Sequence, residues 1–320
     1  MAAIPKGGGS TRFERYKARK RREWGHTWYS MKQHSTLYLF LLPFALIFAT
    51  FVLAPVVISI FFSFTYFNVL EPARFIGFQN YLNLFLADDV FLIALRNTIL
   101  LAVLVGPVGY ILSFLFAWFI NELPKQWRVF FMLVFYAPTI AGQAFMIWTI
   151  IFRGDAYGWF NSWLLQFGII HEPVLWLSNP AYMMPVIIVV QLWMSLGAGF
   201  LAFMAGLSTI DESLFEAGLV DGVRNRWQEL WFITLPNMQG MLMFGAVMSI
   251  TAAFSVGPVT QGLAGFPSTD YAVHTIVNHL VDYGAMRFEM GYASAIATIL
   301  FLAMIYSRLA VGKFISKIGT

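Results

Sequence analysis

Charge disappears from six long stretches of the chain: no Asp, Glu, Lys or Arg occurs within 33–70, 97–121, 129–152, 173–210, 230–269 or 290–307. Each stretch holds an apolar run as long as the about 20 residues a helix needs to cross a bilayer's hydrocarbon. The runs are continuous rather than alternating, which favours helices over barrel strands. The pattern therefore predicts an all-α membrane protein with six transmembrane helices, over 37–64, 97–120, 129–152, 181–207, 238–260 and 290–309. Pro43, Pro55, Pro107, Pro138, Pro185 and Pro258 lie inside these runs. Membrane helices tolerate such kinks where neighbours satisfy the freed carbonyls. The first run is too long for the apolar region of a signal peptide and lacks an A-x-A exit, so it reads as a retained helix.

Composition agrees and narrows the class. Of 320 residues, 59% are hydrophobic and 11% charged, against about a quarter charged in an ordinary soluble domain. Mean hydropathy is +0.70. Disorder, a fibrous repeat and a water-soluble enzyme are excluded. With no cysteine, so are disulfide scaffolds, Cys-ligated metal sites and Cys nucleophiles. The net charge of +4 acquires its meaning from its distribution. Of the 20 Lys and Arg residues, sixteen fall in 1–36, the loops after the second and fourth runs, and the C-terminal end; four (Arg74, Arg96, Arg153 and Arg287) fall on the other side. That asymmetry places both termini and the 208–236 loop in the cytoplasm, and anionic lipid rather than nucleic acid accounts for the basic excess.

No nucleotide-binding loop is present: the one Gly-Lys pair, Gly312-Lys313, precedes Phe314 and lacks the upstream glycine. HExxH and GxSxG are absent too. His274 and His279, five apart, do not share a helical face; they read as interfacial polar contacts rather than metal ligands. No carboxylate lies at membrane depth, which disfavours coupling to ions within this chain.

The 208–236 loop carries the most information. Thr209-x-x-Glu212 has the form of a capping box, and Asp211 and Glu212 suit a first helical turn. Leu214, Ala217, Gly218 and Asp221 share one side, and Gly222 provides a stop. A second helix is expected over 226–234, with Trp227, Leu230 and Trp231 as an apolar stripe and Leu235-Pro236 as its end. Physics alone leaves two readings: a solvated amphipathic loop held at the interface by its tryptophans, or a small-residue surface with one carboxylate for close docking of another protein.

Glu216-Ala217-Gly218, then Gly222, then Ile233-Thr234-Leu235-Pro236, resembles the EAA motif of ABC importer permeases. That motif reads E-A-A, three residues, G, nine residues, I-x-L-P. This chain has Gly218 in place of the second Ala, and ten residues between Gly222 and Ile233, which implies a slightly rotated second helix. The resemblance extends over about 37–315, to the carbohydrate-importer permeases of the maltose and glycerol-3-phosphate type. It runs through Ile76-Gly77-Phe78-Gln79-Asn80-Tyr81, Leu95-Arg96-Asn97-Thr98, Tyr157-Gly158 with Asn161, and Trp176-Leu177.

The resemblance implies a MetI-like core of five helices (the second to the sixth) plus an added first helix. It implies a basic cytoplasmic segment 1–36, a permease domain 37–320 containing the coupling loop, and a bacterial-type cytoplasmic membrane. The implied partners are a second permease subunit, two ABC ATPase subunits that bind ATP and magnesium, and an extracytoplasmic solute-binding protein that delivers a sugar. No cofactor is implied for this chain. Glu216, Ala217, Gly218, Asp221, Gly222, Leu235 and Pro236 would couple to the ATPase, Glu216 by pairing with a basic group there. Sugars are recognised by hydrogen bonds and aromatic faces, which makes Tyr136, Thr139, Gln143, Gln191, Trp193, Ser249, Thr251 and Ser255 substrate-path candidates. Each has an alternative reading as interhelical hydrogen bonding or packing; the two Gln amides, expected near the centres of the third and fourth helices, stand first. A permease for another small polar solute, and a non-transporting membrane scaffold that works through its basic N-terminal segment, are the alternative functions.

Overall fold

The computed structural model describes residue 33 and residues 35–315. Apart from Gln33, Ser35 and Thr36, the basic segment 1–36 lies outside the described residues, as does Lys317. Contacts divide the chain into two units, Met1–Ile58 and Ser59–Thr320. In the first, a helix from Ser35 loosens into a π turn at Ala49–Leu53. The Ala54 amide bonds the Ala49 carbonyl just ahead of Pro55, so the wider turn absorbs the donor that proline lacks. None of the described side chains of this unit is buried. An apolar helix with no protein cover is what a bilayer-facing element should be.

Among the described residues, five helices are long and apolar enough to cross a membrane: Leu39–Phe62, Asp89–Asn121, Pro180–Ser208, Gln239–Ala264 and Met290–Ile315. They account for the first, second, fourth, fifth and sixth predicted runs. The second begins earlier than its charge-free stretch, because Asp88 caps it: its carboxylate accepts from the Phe91 amide at 2.9 Å.

The third run is not a continuous helix over 129–152: it is broken into a pair, Lys125–Ile140 and Ala144–Ile151, bent by 89°. Pro138 cannot donate to the preceding turn, and Gly142 takes φ +64°, a conformation that costs glycine little. The fourth and fifth spans also break, between Met194 and Ala198 and between Phe254 and Gly257.

Small residues allow the second, fourth and fifth spans to pack closely. A Cβ on Gly245 would sit 2.2 Å from the Phe203 ring, and one on Gly109 would lie 2.9 Å from Ser195 Cβ. Phe203 meets Tyr110 and Phe114 edge-on at 5.4 and 5.5 Å. Away from the 208–236 loop, buried carboxamides fasten the other loops. Asn80 donates to the Ser63 and Thr65 carbonyls. Asn97 donates to Tyr271, Ala272 and His274 carbonyls, and the Thr98 hydroxyl accepts the Ile276 amide. Asn161, fully buried, donates to carbonyls of Arg153, Asp155 and Val174 while accepting from the Val174 amide and the Trp176 indole. Asn80, Asn97, Thr98, Asn161 and Trp176, among the scattered residues that carried the family resemblance, are thus loop fasteners.

Candidate functional site

The hook between the fourth and fifth spans begins with the helix Glu212–Val220. Its cap is Asp211, whose carboxylate accepts from the Ser213 amide at 3.0 Å, not the expected Thr209; the Thr209 hydroxyl bonds back to Gly206 and closes the preceding helix. The Ser213 amide and hydroxyl hold the Asp211 carboxyl below its ordinary pKa. At the far end Gly222 takes φ +93°. Its amide bonds the Leu219 carbonyl and the Val223 amide reaches back to Gly218, the paired bonds of a Schellman stop.

Gly218 is buried with Ile233 against it; a Cβ there would lie 2.6 Å from Ile233 Cδ1. The departure from alanine at this position thus has a local cause. Glu216, Ala217 and Asp221 face outward, and Glu216 forms no hydrogen bond or ion pair among the described residues.

The second arm corrects the expected end at Leu235-Pro236. Arg226–Glu229 runs into a π turn at Leu230–Thr234 and on through Leu235–Asn237. A π turn accommodates one extra residue per turn, and this one lies between Gly222 and Pro236, where the chain has one residue more than the motif. It also places Pro236 in the first turn of its own segment, where no donor is needed. Leu230, Ile233 and Leu235 are buried, whereas Trp227 and Trp231 remain mostly exposed.

Sequence reasoning missed the other side of the hook. Arg226 reaches Glu122, just past the end of the second span, at 2.9 Å, and Glu229 on its own arm at 2.8 Å. The bond to Glu229, then the charge of Glu122, raise its pKa. Trp227 lies 5.4 Å from Trp118, and Arg128 donates to the Asn121 and Leu123 carbonyls. Arg226, Glu122, Glu229, Trp118, Asn121 and Arg128 line a cavity of about 310 Å³ beside Glu212 and Phe215. The only sequence signal was the Lys/Arg bias of these loops.

Toward mid-span the three helix breaks are laced together. Thr139 donates to the Leu196 carbonyl at 3.3 Å and Ser113 to Ser195 at 3.2 Å. Gln191, buried, donates to the Ala252 carbonyl at 3.4 Å, and its Oε1 is buried without a partner. Gln143 is not at a helix centre but in the bend of the third span, exposed. Ser255 is exposed in the break of the fifth span; Thr251, also exposed, bonds its own helix at Val247. Tyr136, Trp193 and Ser249 are half-buried, Trp193 edge-on to Trp148 at 5.6 Å. The structure therefore gathers Thr139, Gln191 and the three breaks, and gives Gln191 and Thr139 interhelical roles. Non-helical backbone at membrane depth persists only when buried in protein or lining a watery cavity, and Gly142, Gln143 and Ser255 are not buried.

A further polar hub corrects the reading of the histidines as interfacial. His274 and His279 are both buried, with rings 5.6 Å apart. His279 shares Asp88 with the Tyr283 and Tyr292 hydroxyls. Burial alone would raise the Asp88 carboxyl, but the bonds from His279, Phe91 and Tyr292 hold it at about 2. Burial, then the neighbouring His279, push His274 down to about 4, against the charges of Asp282 and Asp88. Among the described residues no group of three His, Asp or Glu is placed to hold a metal ion.

Long apolar helices, three of them broken, mark a membrane-embedded chain. No protein-family model matches the chain. It is 31% identical over 284 residues to the probable ABC transporter permease protein YurN of Bacillus subtilis (strain 168), covering 87% of this chain and 94% of that one. To the probable permease protein YesP of the same organism it is 30% identical, covering 82% and 84%. The arabinooligosaccharides transport system permease protein AraP, also of Bacillus subtilis, is 29% identical over 90% of each chain. A chain of a bacterial ABC transporter involved in import of the acidic polysaccharide alginate shares the fold, with a TM-score of 0.74 at 24% identity over 92% of this chain and all of that one. The chain belongs to the ABC transporter permease family.

Proposed function

We propose that the chain is one permease subunit of an ATP-driven importer for a sugar or oligosaccharide. It pairs with a second permease, two ATPase subunits that bind and hydrolyse ATP, and an external solute-binding protein. Both termini and the hook lie on the cytoplasmic side. The observation that carries this reading is Glu216, unpaired and outward-facing on a short helix capped at both ends. A capped helix that presents Glu216 free at its surface fits a cleft offering a basic group. Once half-buried there, the pair resists loss of either partner by about 3–5 kcal/mol.

ATP closes the two ATPases, and their clefts carry the hook, which bears on the third to fifth spans. The polar space at the helix breaks opens outward, takes sugar, then opens inward after hydrolysis. Gln143, Gly142 and Ser255, exposed at those breaks, and Tyr136, Thr139, Gln191, Trp193, Ser249 and Thr251 around them, offer the neutral hydrogen-bonding and aromatic groups a sugar needs. Relatives named for lactose and for arabinooligosaccharides support a sugar or oligosaccharide.

The test is reconstitution of the complete particle in proteoliposomes. Glu216→Ala should abolish sugar uptake and the stimulation of ATPase activity by loaded binding protein, while the chain stays inserted. Full coupled activity in that variant would remove Glu216 from the coupling role.

A further inference from the structure

We propose that Arg226 and Glu122 are positioning residues that make the hook and the turn between the second and third spans move as one body. This rests on the coupling role proposed above for the hook. The hook's two ends continue by covalent bonds only into the fourth and fifth spans. Force applied at Glu216 would therefore reach the second and third spans through side chains alone.

Leu230 and Leu235 of the hook share an apolar core with Phe114, Ala117, Trp118 and Ile120 of the second span, and Arg226 adds a directional link at its edge. One guanidinium nitrogen holds Glu122 beyond the end of the second span and another holds Glu229 on the hook, at 2.9 and 2.8 Å. A planar fork held at two points fixes direction as well as distance, which a lysine could not do. One residue on, the Trp227 ring lies 5.4 Å from Trp118 of the second span. Arg128 completes the body by tying the start of the third span to the Asn121 and Leu123 carbonyls, at 2.6 and 3.4 Å.

The pair is well suited to alignment and poorly suited to holding the fold together. Arg226 and Glu122 are both substantially exposed, and exposed pairs add at most about 1 kcal/mol to stability. Neutralising them therefore separates coupling from folding. The experiment compares Arg226→Gln, Glu122→Gln and the double variant in the complete reconstituted particle. It reads binding-protein-stimulated ATPase activity, uptake, melting temperature and retention of the ATPase subunits.

Each single change should lower stimulation and uptake about tenfold, and the double should be no worse than either single, as expected for two groups acting through one contact. Melting temperature and subunit retention should match the unaltered particle. Stimulation at the unaltered level in either single variant overturns the proposal. So do losses that multiply in the double variant, and losses that track a lower melting temperature or shed ATPase subunits. If the unaltered particle itself shows no stimulation by binding protein, it is the importer reading that fails, not this one.

Discussion

Gly218→Ala is the sharpest test of how the hook is packed. Alanine is the better helix former by about 1 kcal/mol, so in an open site the change would stabilise the helix Glu212–Val220. Here the added Cβ would meet Ile233 Cδ1 at 2.6 Å, with Val223 Cγ2 at 3.6 Å and Ile233 Cγ1 at 3.8 Å behind it. Ile233 is buried, so its terminal methyl has little room to turn away. Overpacking of this kind costs about 1–3 kcal/mol, which outweighs or cancels the propensity gain.

The contact is with one methyl group, and Ile233→Val deletes that methyl for about 0.5–1.5 kcal/mol. With Cδ1 gone the remaining contacts are ordinary, and alanine at 218 should then stabilise. The two single variants and the double form a cycle whose coupling should be about 1–3 kcal/mol in favour of the double. Thermal unfolding of the purified complex reads the stability, and binding-protein-stimulated ATPase activity reads the docking of the hook. A coupling near zero, or an alanine at 218 that stabilises the unaltered chain, would refute the argument that Ile233 dictates the glycine.

Gly222→Val places a β-branched residue at φ +93° and should cost about 1–2 kcal/mol; co-purification of the ATPase subunits should weaken, and unchanged co-purification counts against the bent hook. Asn161→Ala strips the fully buried hub of the 153–180 loop, leaving several groups without partners at about 3 kcal/mol in all; proteolysis within 153–180 should accelerate, and an unchanged digestion pattern would refute the hub.

Acidification should destabilise the fold in two stages. His274, held at about 4 by burial and His279 against an unfolded value of 6.5, binds its proton more readily when unfolded, so stability falls as pH drops from 6.5 toward 4, by about 3 kcal/mol. Asp88, held at about 2 against 3.8, adds a loss that begins only below about pH 4. Melting temperatures of the purified chain across that range, with and without His274→Asn, check the first stage; a slope unchanged by the substitution would exclude His274 as its source.

The spans were readable because backbone polar groups in hydrocarbon must be satisfied within a helix, which forces long charge-free runs at fixed length. The stop at Gly222 was readable for a local reason too: glycine adopts that backbone without strain. The bend at Ala141–Gln143 was not. Pro138 and Gly142 advertise it, but Pro107 and Pro185 lie inside helices that continue through them. At that bend the Thr139 hydroxyl meets the Leu196 carbonyl across two spans, a partnership that no local pattern encodes. The histidine hub was hidden in the same way: His274 and His279 do not share a helical face, and a turn before the helix brings their rings together.

Apolar spacing, chain length and backbone chemistry are local properties, and from them came the membrane class, the long apolar runs and the outline of the hook. Partnership is a long-range property. Gly218 against Ile233, Arg226 against Glu122, and Asn97 against the carbonyls of 271, 272 and 274 are joined only when distant segments pack. No pattern along the chain encodes the distance between two residues more than a hundred positions apart. That distance, set by close packing of helices through their small residues, decided where the breaks meet and which side chains brace the hook.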